Sequence, residues 1–155
     1  MDDFRSLIID IYLTSKIPNY QKILRDGTIR RNRCNHYDGK YCKLVKTGDW
    51  ILLSWTLKDQ VSPHPVLCYL CPYYGSNIDE TVNTSLLQLL RDYISIRNGI
   101  EREISNIEGK IGEMLYSSLV LKRRRQELLT MLDEIDFKIN IIKLLIRYQE
   151  EHDDI

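Results

Sequence analysis

From Tyr93 onward, apolar positions recur in alternating steps of four and three, at 93, 97, 100, 104, 107, 111, 114, 118, 121, 125, 128, 132, 135, 139, 142 and 146. Only Arg97, Ser118 and Arg125 break the apolar run, and Leu86 and Leu90 extend it backward. Such a seam, sustained over more than seven heptads, is the pattern of a coiled coil. It predicts one continuous helix over roughly 82–150, about 100 Å long at 1.5 Å per residue. That helix is expected to form a homo-oligomer, because a narrow a/d seam buries little apolar surface in a lone helix. The alternative is an antiparallel helical hairpin. Ser118 and Arg125 interrupt the seam near its midpoint and leave apolar blocks of similar length on either side. The absence of Gly, Pro and Asn between them favours the continuous helix.

The first half is patterned differently. Phe4, Leu7, Ile8, Ile11 and Tyr12 lie at helical spacing, which predicts an amphipathic helix over 3–15 that ends before Pro18. A second short helix is expected from Asn19 to Arg25, stopping at Gly27. Two short helices before a basic stretch hint at a helix-turn-helix, although many small domains begin this way. Asp38-Gly39 and Thr47-Gly48-Asp49 are turn signals. The segments Tyr41 to Lys46 and Trp50 to Leu57 around them read as two strands of a short antiparallel sheet. Ser62-Pro63-His64-Pro65 then imposes an extended turn before Cys68 and Cys71, with Pro72 closing it.

All four cysteines, Cys34, Cys42, Cys68 and Cys71, lie in this half, spaced C-x7-C-x25-C-x2-C. Two thiol pairs across a short segment are the donor set of one tetrahedral structural Zn2+ site, which would pin a module too small to fold by burial alone. An iron-sulfur cluster is the alternative, and disulfides are a further one. Cys68-x2-Cys71 alone has redox-pair spacing, but no βαβ pattern surrounds it. His36 and His64 lie two residues after Cys34 and four before Cys68, where either could replace a thiolate. With four cysteines present they are expected to orient ligands or bond the backbone. Four thiolates also leave no open metal position, no acid is placed beside a ligand as a hydrolytic site requires, and no phosphate-binding loop or nucleophile elbow occurs. The sequence therefore predicts no enzyme.

Charge refines this picture. The chain has 22 basic and 22 acidic side chains, yet residues 16–46 carry nine Lys or Arg against Asp26 and Asp38. Arg30, Arg31 and Arg33 abut the first cysteine, and Lys40, Lys43 and Lys46 follow. Beside Tyr37, Tyr41, Trp50 and Trp55 these cations supply the parts of a nucleic-acid site, phosphate contacts and base stacking. The alternative is a solvated charged face over aromatics in the core. Lys122-Arg123-Arg124-Arg125 reads as the polar face of a helix. No apolar run reaches the roughly 20 residues that span a bilayer, and the N-terminus lacks signal-peptide order. No membrane partner is expected, and an intracellular location, cytoplasmic or within a host cell, is the default. The chain has no alanine and is rich in Ile, Leu, Tyr and Asn, a composition that suggests an AT-rich genome.

The run Cys34-Asn-His-Tyr-Asp-Gly-Lys-Tyr-Cys42 followed by His64-Pro-x-x-Cys68-x-x-Cys71-Pro-x-Tyr resembles the four-cysteine, zinc-type modules of small proteins from hyperthermophilic archaea and their viruses. The resemblance covers residues 34–74 and implies a metal site, with no activity to carry over. The expected fold class is α+β, mostly α: a basic zinc-binding module over 1–75 and a coiled-coil oligomerisation segment over 82–150. The expected function is a nucleic-acid-binding regulatory or architectural protein whose zinc module is presented in several copies, which raises avidity. The competing reading is a non-enzymatic scaffold whose coiled coil binds a protein partner.

Overall fold

The computed structural model describes residues 2–47, 56–57, 60–78, 80–113 and 119–151. The chain divides into two compact units, Met1–Leu86 with Arg147–Ile155, and Leu87–Ile146. The elements are α1 (Asp2–Lys16), α2 (Tyr20–Arg33), β1 (Val45–Thr47), β2 (Thr56–Leu57), β3 (Gln60–Val61), α3 (Pro65–Leu70), β4 (Val82–Thr84), α4 (Leu86–Glu113) and α5 (Leu119–Glu151). The protein is mostly helical, as its periodicities predict.

In the first unit α1 ends at Lys16, ahead of Pro18, and Asn19 in the left-handed region (φ 61°) turns the chain into α2. The face of α1 that is buried differs from the expected one. Ile9, Leu13 and Ile17 are almost fully buried, whereas Leu7 and Ile11 are 55% and 61% exposed. The run from Leu7 to Leu13 is apolar on more than one side, so periodicity alone does not choose the face. Tyr20 and Ile23 at the start of α2 are buried as well.

Gly27 does not stop α2, which continues to Arg33. A Cβ added there would lie 2.0 Å from the carbonyl oxygen of Pro65. Gly27 is therefore the point at which α2 crosses the first turn of α3, and its missing side chain is a packing requirement.

The sheets also differ from the single antiparallel pair expected from Tyr41–Lys46 and Trp50–Leu57. β1 pairs in parallel with β4, Val45 opposite Val82 and Thr47 opposite Thr84. β2 pairs antiparallel with β3, Thr56 opposite Val61. The heptad pattern had assigned Val82 to the long helix, but β-branched Val82 and Thr84 suit a strand and the helix starts at Leu86. The Asp38-Gly39 turn forms as read: Gly39 takes φ 101°, and the Asp38 carboxylate accepts from the backbone N–H of Tyr41 (2.8 Å) and Lys40 (2.9 Å). Those two bonds hold Asp38 below the usual carboxylate range. Gly48 and Asp49 of the expected turn after Thr47, Trp50, Trp55 and most of the strand assigned to them lie outside the described residues.

In the second unit the long heptad segment is two helices packed antiparallel, not one continuous rod. Ile100, Ile104, Ile107 and Leu128 form one buried cluster, with Ile111, Leu121, Leu129, Leu132 and Ile135 packed against it. Ion pairs cross between the helices: Arg97 with Asp136, Glu103 with Arg124 at 3.1 Å, and Glu108 with Arg125 at 2.9 Å. The physical reason lies in the seam's polar interruptions. In a straight self-associating helix Arg97 and Arg125 would be cations in an apolar seam, whereas in the hairpin each meets a carboxylate of the other helix. Ser118 lies outside the described residues. Because these seam residues bury one another within one chain, the argument that required a homo-oligomer no longer applies.

Two substitutions test this packing. Gly27→Ala gains about 1 kcal/mol of helix propensity but drives a methyl into backbone that cannot turn aside. A net loss of about 2 kcal/mol is expected, read by urea unfolding. Leu128→Ala, at a position 1% exposed, should cost about 2–5 kcal/mol while leaving the sedimentation coefficient of a monomer unchanged. A drop in oligomer size on that substitution would show that the seam faces a second copy.

Candidate metal centre

The four cysteines stand on separate pieces of backbone. Cys34 is the C-terminal cap of α2, its N–H donating to the Arg31 carbonyl at 3.2 Å. Cys42 sits across from both Tyr37 and Val61 in antiparallel bridges and donates its N–H to the Val61 carbonyl at 2.7 Å. Cys68 lies within α3, and Cys71 caps the end of that helix. All four are free thiols of intermediate exposure. They lie within electrostatic reach of one another. Burial pushes the Cys68 thiol up to about 12, with Cys71, Cys42 and Cys34 adding to the rise and Arg31 opposing it. Burial likewise pushes Cys71 up to about 11; the Tyr73 backbone N–H, bonded to its sulfur, opposes that, Cys42 and Cys34 add to it, and Arg30 opposes it.

Among the described residues, no three or more His, Cys, Asp or Glu side chains are grouped closely enough to hold a metal ion. The surroundings nevertheless suit a thiolate cluster. The buried Arg31 Nε–H has no acceptor among the described residues, and it belongs to a guanidinium whose charge acts on Cys68. The Tyr73 N–H on the Cys71 sulfur is a donor that favours the thiolate, and it lies two residues after the cysteine in Cys71-Pro-Tyr-Tyr.

Arg30 and Arg31, read from the sequence as phosphate contacts, are engaged inside the module. Arg30 donates to the Tyr69 carbonyl at 3.0 Å and lies over the Tyr74 ring at 5.0 Å. Arg31 donates to the Pro63 carbonyl at 3.2 Å and lies over the Tyr37 ring at 5.5 Å. Arg30 ties α2 to the last turn of α3 and to Tyr74 beyond it, and Arg31 ties it to Pro63 ahead of α3. Arg33, Lys40, Lys43 and Lys46 are exposed, and Lys40 lies over the Tyr41 ring at 5.3 Å. Tyr37 is close to Arg31 in sequence, but nothing in the order of residues says that Tyr74 lies beside Arg30.

Neither histidine occupies a ligand position. His36 Nε2 meets the Ser76 carbonyl at 3.0 Å, joining the Cys34–Cys42 loop to the chain after Cys71. His64 is 7% exposed and caps α3: its Nδ1 accepts from the Val66 N–H at 3.0 Å, and its Nε2 meets the Asp10 carboxylate at 2.8 Å. Because Nδ1 accepts from backbone, the proton sits on Nε2 and is donated to Asp10. That arrangement leaves no nitrogen lone pair to act as a base, so the Asp10-His64 pair is a fastening between α1 and α3. Asp10 also accepts from Tyr20 at 3.2 Å, and burial together with that carboxylate raises the phenol above its ordinary range.

His64→Asn separates the two roles of this residue. Asparagine is itself a good N-cap but cannot reach Asp10 in the same way. A loss of about 1–2 kcal/mol is expected in thermal unfolding, with His64→Ala costing more because the cap goes as well. Equal costs for the two would show that only the cap matters.

No protein-family model matches the chain, and no curated protein or solved structure matches it either.

Proposed function

We propose that the first unit is a structural zinc module that binds the phosphate backbone of nucleic acid and has no catalytic role. The observation that carries this reading is the division of the cations around the four thiols. Arg30 and Arg31 turn inward beside Cys71 and Cys68, while Arg33, Lys40, Lys43 and Lys46 are exposed on the stretch that carries Cys34 and Cys42. In this reading Cys34, Cys42, Cys68 and Cys71 hold Zn2+ as thiolates. The inward arginines would offset the net negative charge of four thiolates on a divalent ion. The outward cations then sit on a pinned backbone, and phosphate contact releases counterions from the nucleic acid. An iron-sulfur cluster on the same ligands is the alternative, and visible absorbance of the purified protein distinguishes it.

The competing reading, a scaffold that binds a protein partner, draws on the exposed Leu7 and Ile11 of α1. Among the described residues no helix is long and apolar enough to cross a membrane, which agrees with either reading.

Native mass spectrometry should find one zinc per chain, and Cys42→Ser or chelation should melt the first unit while the second keeps its helical signal. A metal-free, stably folded protein overturns the zinc assignment. Affinity for DNA or RNA should fall steeply with salt. Replacing Lys40, Lys43 and Lys46 by Gln should lower the slope of log K against log salt by about one for each phosphate no longer neutralised. Arg31→Lys, by contrast, should weaken zinc retention and leave that slope nearly unchanged, since its charge faces the thiols. Absence of nucleic-acid binding at low salt moves the reading to the partner-binding scaffold.

A further inference from the structure

The first turn of α5 carries two exposed aliphatic side chains, and cations gather in the turn after it. Leu119 and Val120, in the first turn of α5, are 79% and 77% exposed, the most exposed large hydrophobic residues among those described. The next turn is Lys122-Arg123-Arg124-Arg125. Arg124 and Arg125 are committed to Glu103 and Glu108 of α4. Lys122 and Arg123 are exposed. The pairing of Glu108 with Arg125 sets the register of the two antiparallel helices, and by that register exposed Lys110 lies level with Arg123. Glu113, also exposed, is the one acidic side chain of the described residues beyond that level.

We propose that this end of the hairpin docks on the surface of an anionic lipid bilayer, with Leu119 and Val120 entering the headgroup boundary and Lys110, Lys122 and Arg123 meeting lipid phosphates or carboxylates. Consecutive helical residues point roughly 100° apart, so the two aliphatic side chains spread over the helix end and do not form a stripe. The positions three and four residues after them are Lys122, Arg123 and Arg124, which denies a partner groove the repeating anchors that a docked helix presents. A second copy meeting the first end to end would oppose two cationic collars. Nucleic acid would satisfy the collar but leave both aliphatic side chains in water. An anionic bilayer matches both features in their order along the axis: apolar groups first, then cations about 5 Å behind at 1.5 Å per residue, a depth at which long basic side chains reach back to the headgroups. The contact is interfacial, since no described helix is built to cross, and it stands independently of the zinc reading.

The test is co-sedimentation of the full chain with phosphatidylcholine vesicles, with and without phosphatidylserine, across a salt series. The wild type should bind the anionic vesicles at least about tenfold more tightly than the neutral ones. L119S/V120S and K122Q/R123Q should each lower that affinity by about tenfold or more, circular dichroism confirming that both variants keep the hairpin. No binding by the wild type overturns the proposal. So does unchanged binding by L119S/V120S, which would leave a purely electrostatic contact. Loss of duplex DNA binding in K122Q/R123Q, without vesicle binding by the wild type, assigns the collar to nucleic acid.

Discussion

Gly27 lets the backbone of α2 run against the Pro65 carbonyl at the start of α3, and the candidate centre depends on that crossing. Cys34 sits at the end of α2, and Cys68 and Cys71 sit in and after α3. How closely the two helices approach therefore decides whether the cysteine pairs lie in one region. A side chain at residue 27 would push them apart by the volume of a methyl group, and the sulfur-bearing ends would separate with them. His64 secures the same junction from the other side, because one imidazole both caps α3 and reaches Asp10 on α1. A missing side chain and a single ring thus fix where the three helices meet, beside the buried apolar side chains of Leu13, Ile23, Val66 and Leu70.

The same crossing gives the two arginines their place. Arg30 and Arg31 reach across from α2 to the carbonyls of Tyr69 and Pro63, and each guanidinium has an aromatic face beneath it. Planar guanidinium groups suit this double use, donating at the edge while stacking on the face. Lysine would keep the charge and lose the fork. The cost is that the cationic cluster abutting the first cysteine is partly withdrawn from solvent, which shifts any phosphate contact toward Arg33 and the three lysines that follow.

In the second unit charge acts on topology. A cation in an apolar seam is costly unless paired, and antiparallel folding supplies the pairs: Arg97 finds Asp136 and Arg125 finds Glu108. These pairs are substantially exposed, so each contributes little to stability. Their effect is on register and direction, because each sets one arginine opposite one carboxylate of the other helix. The apolar cluster of Ile100, Ile104, Ile107 and Leu128 supplies the adhesion.

Whatever depends on near neighbours was legible in the order of residues. The end of α1 before Pro18, the Asp38-Gly39 turn, the helical character of the long heptad segment and the co-location of four thiols in one small unit follow from local sterics and periodic burial. Pairings between distant residues needed the folded chain. A seam of period 3.5 reads the same whether its partner is another chain or its own continuation, so the choice of hairpin awaited the meeting of Arg125 with Glu108. An apolar stretch with two usable faces does not announce which is buried, and Leu7 and Ile11 were left outside. Parallel pairing of Val45 with Val82 joins segments separated by the whole stretch that carries Cys68 and Cys71, beyond the reach of any local signal. Gly27 reads as a stop in one dimension, since only the approach of Pro65 in three dimensions makes the absence of a side chain a requirement for close contact.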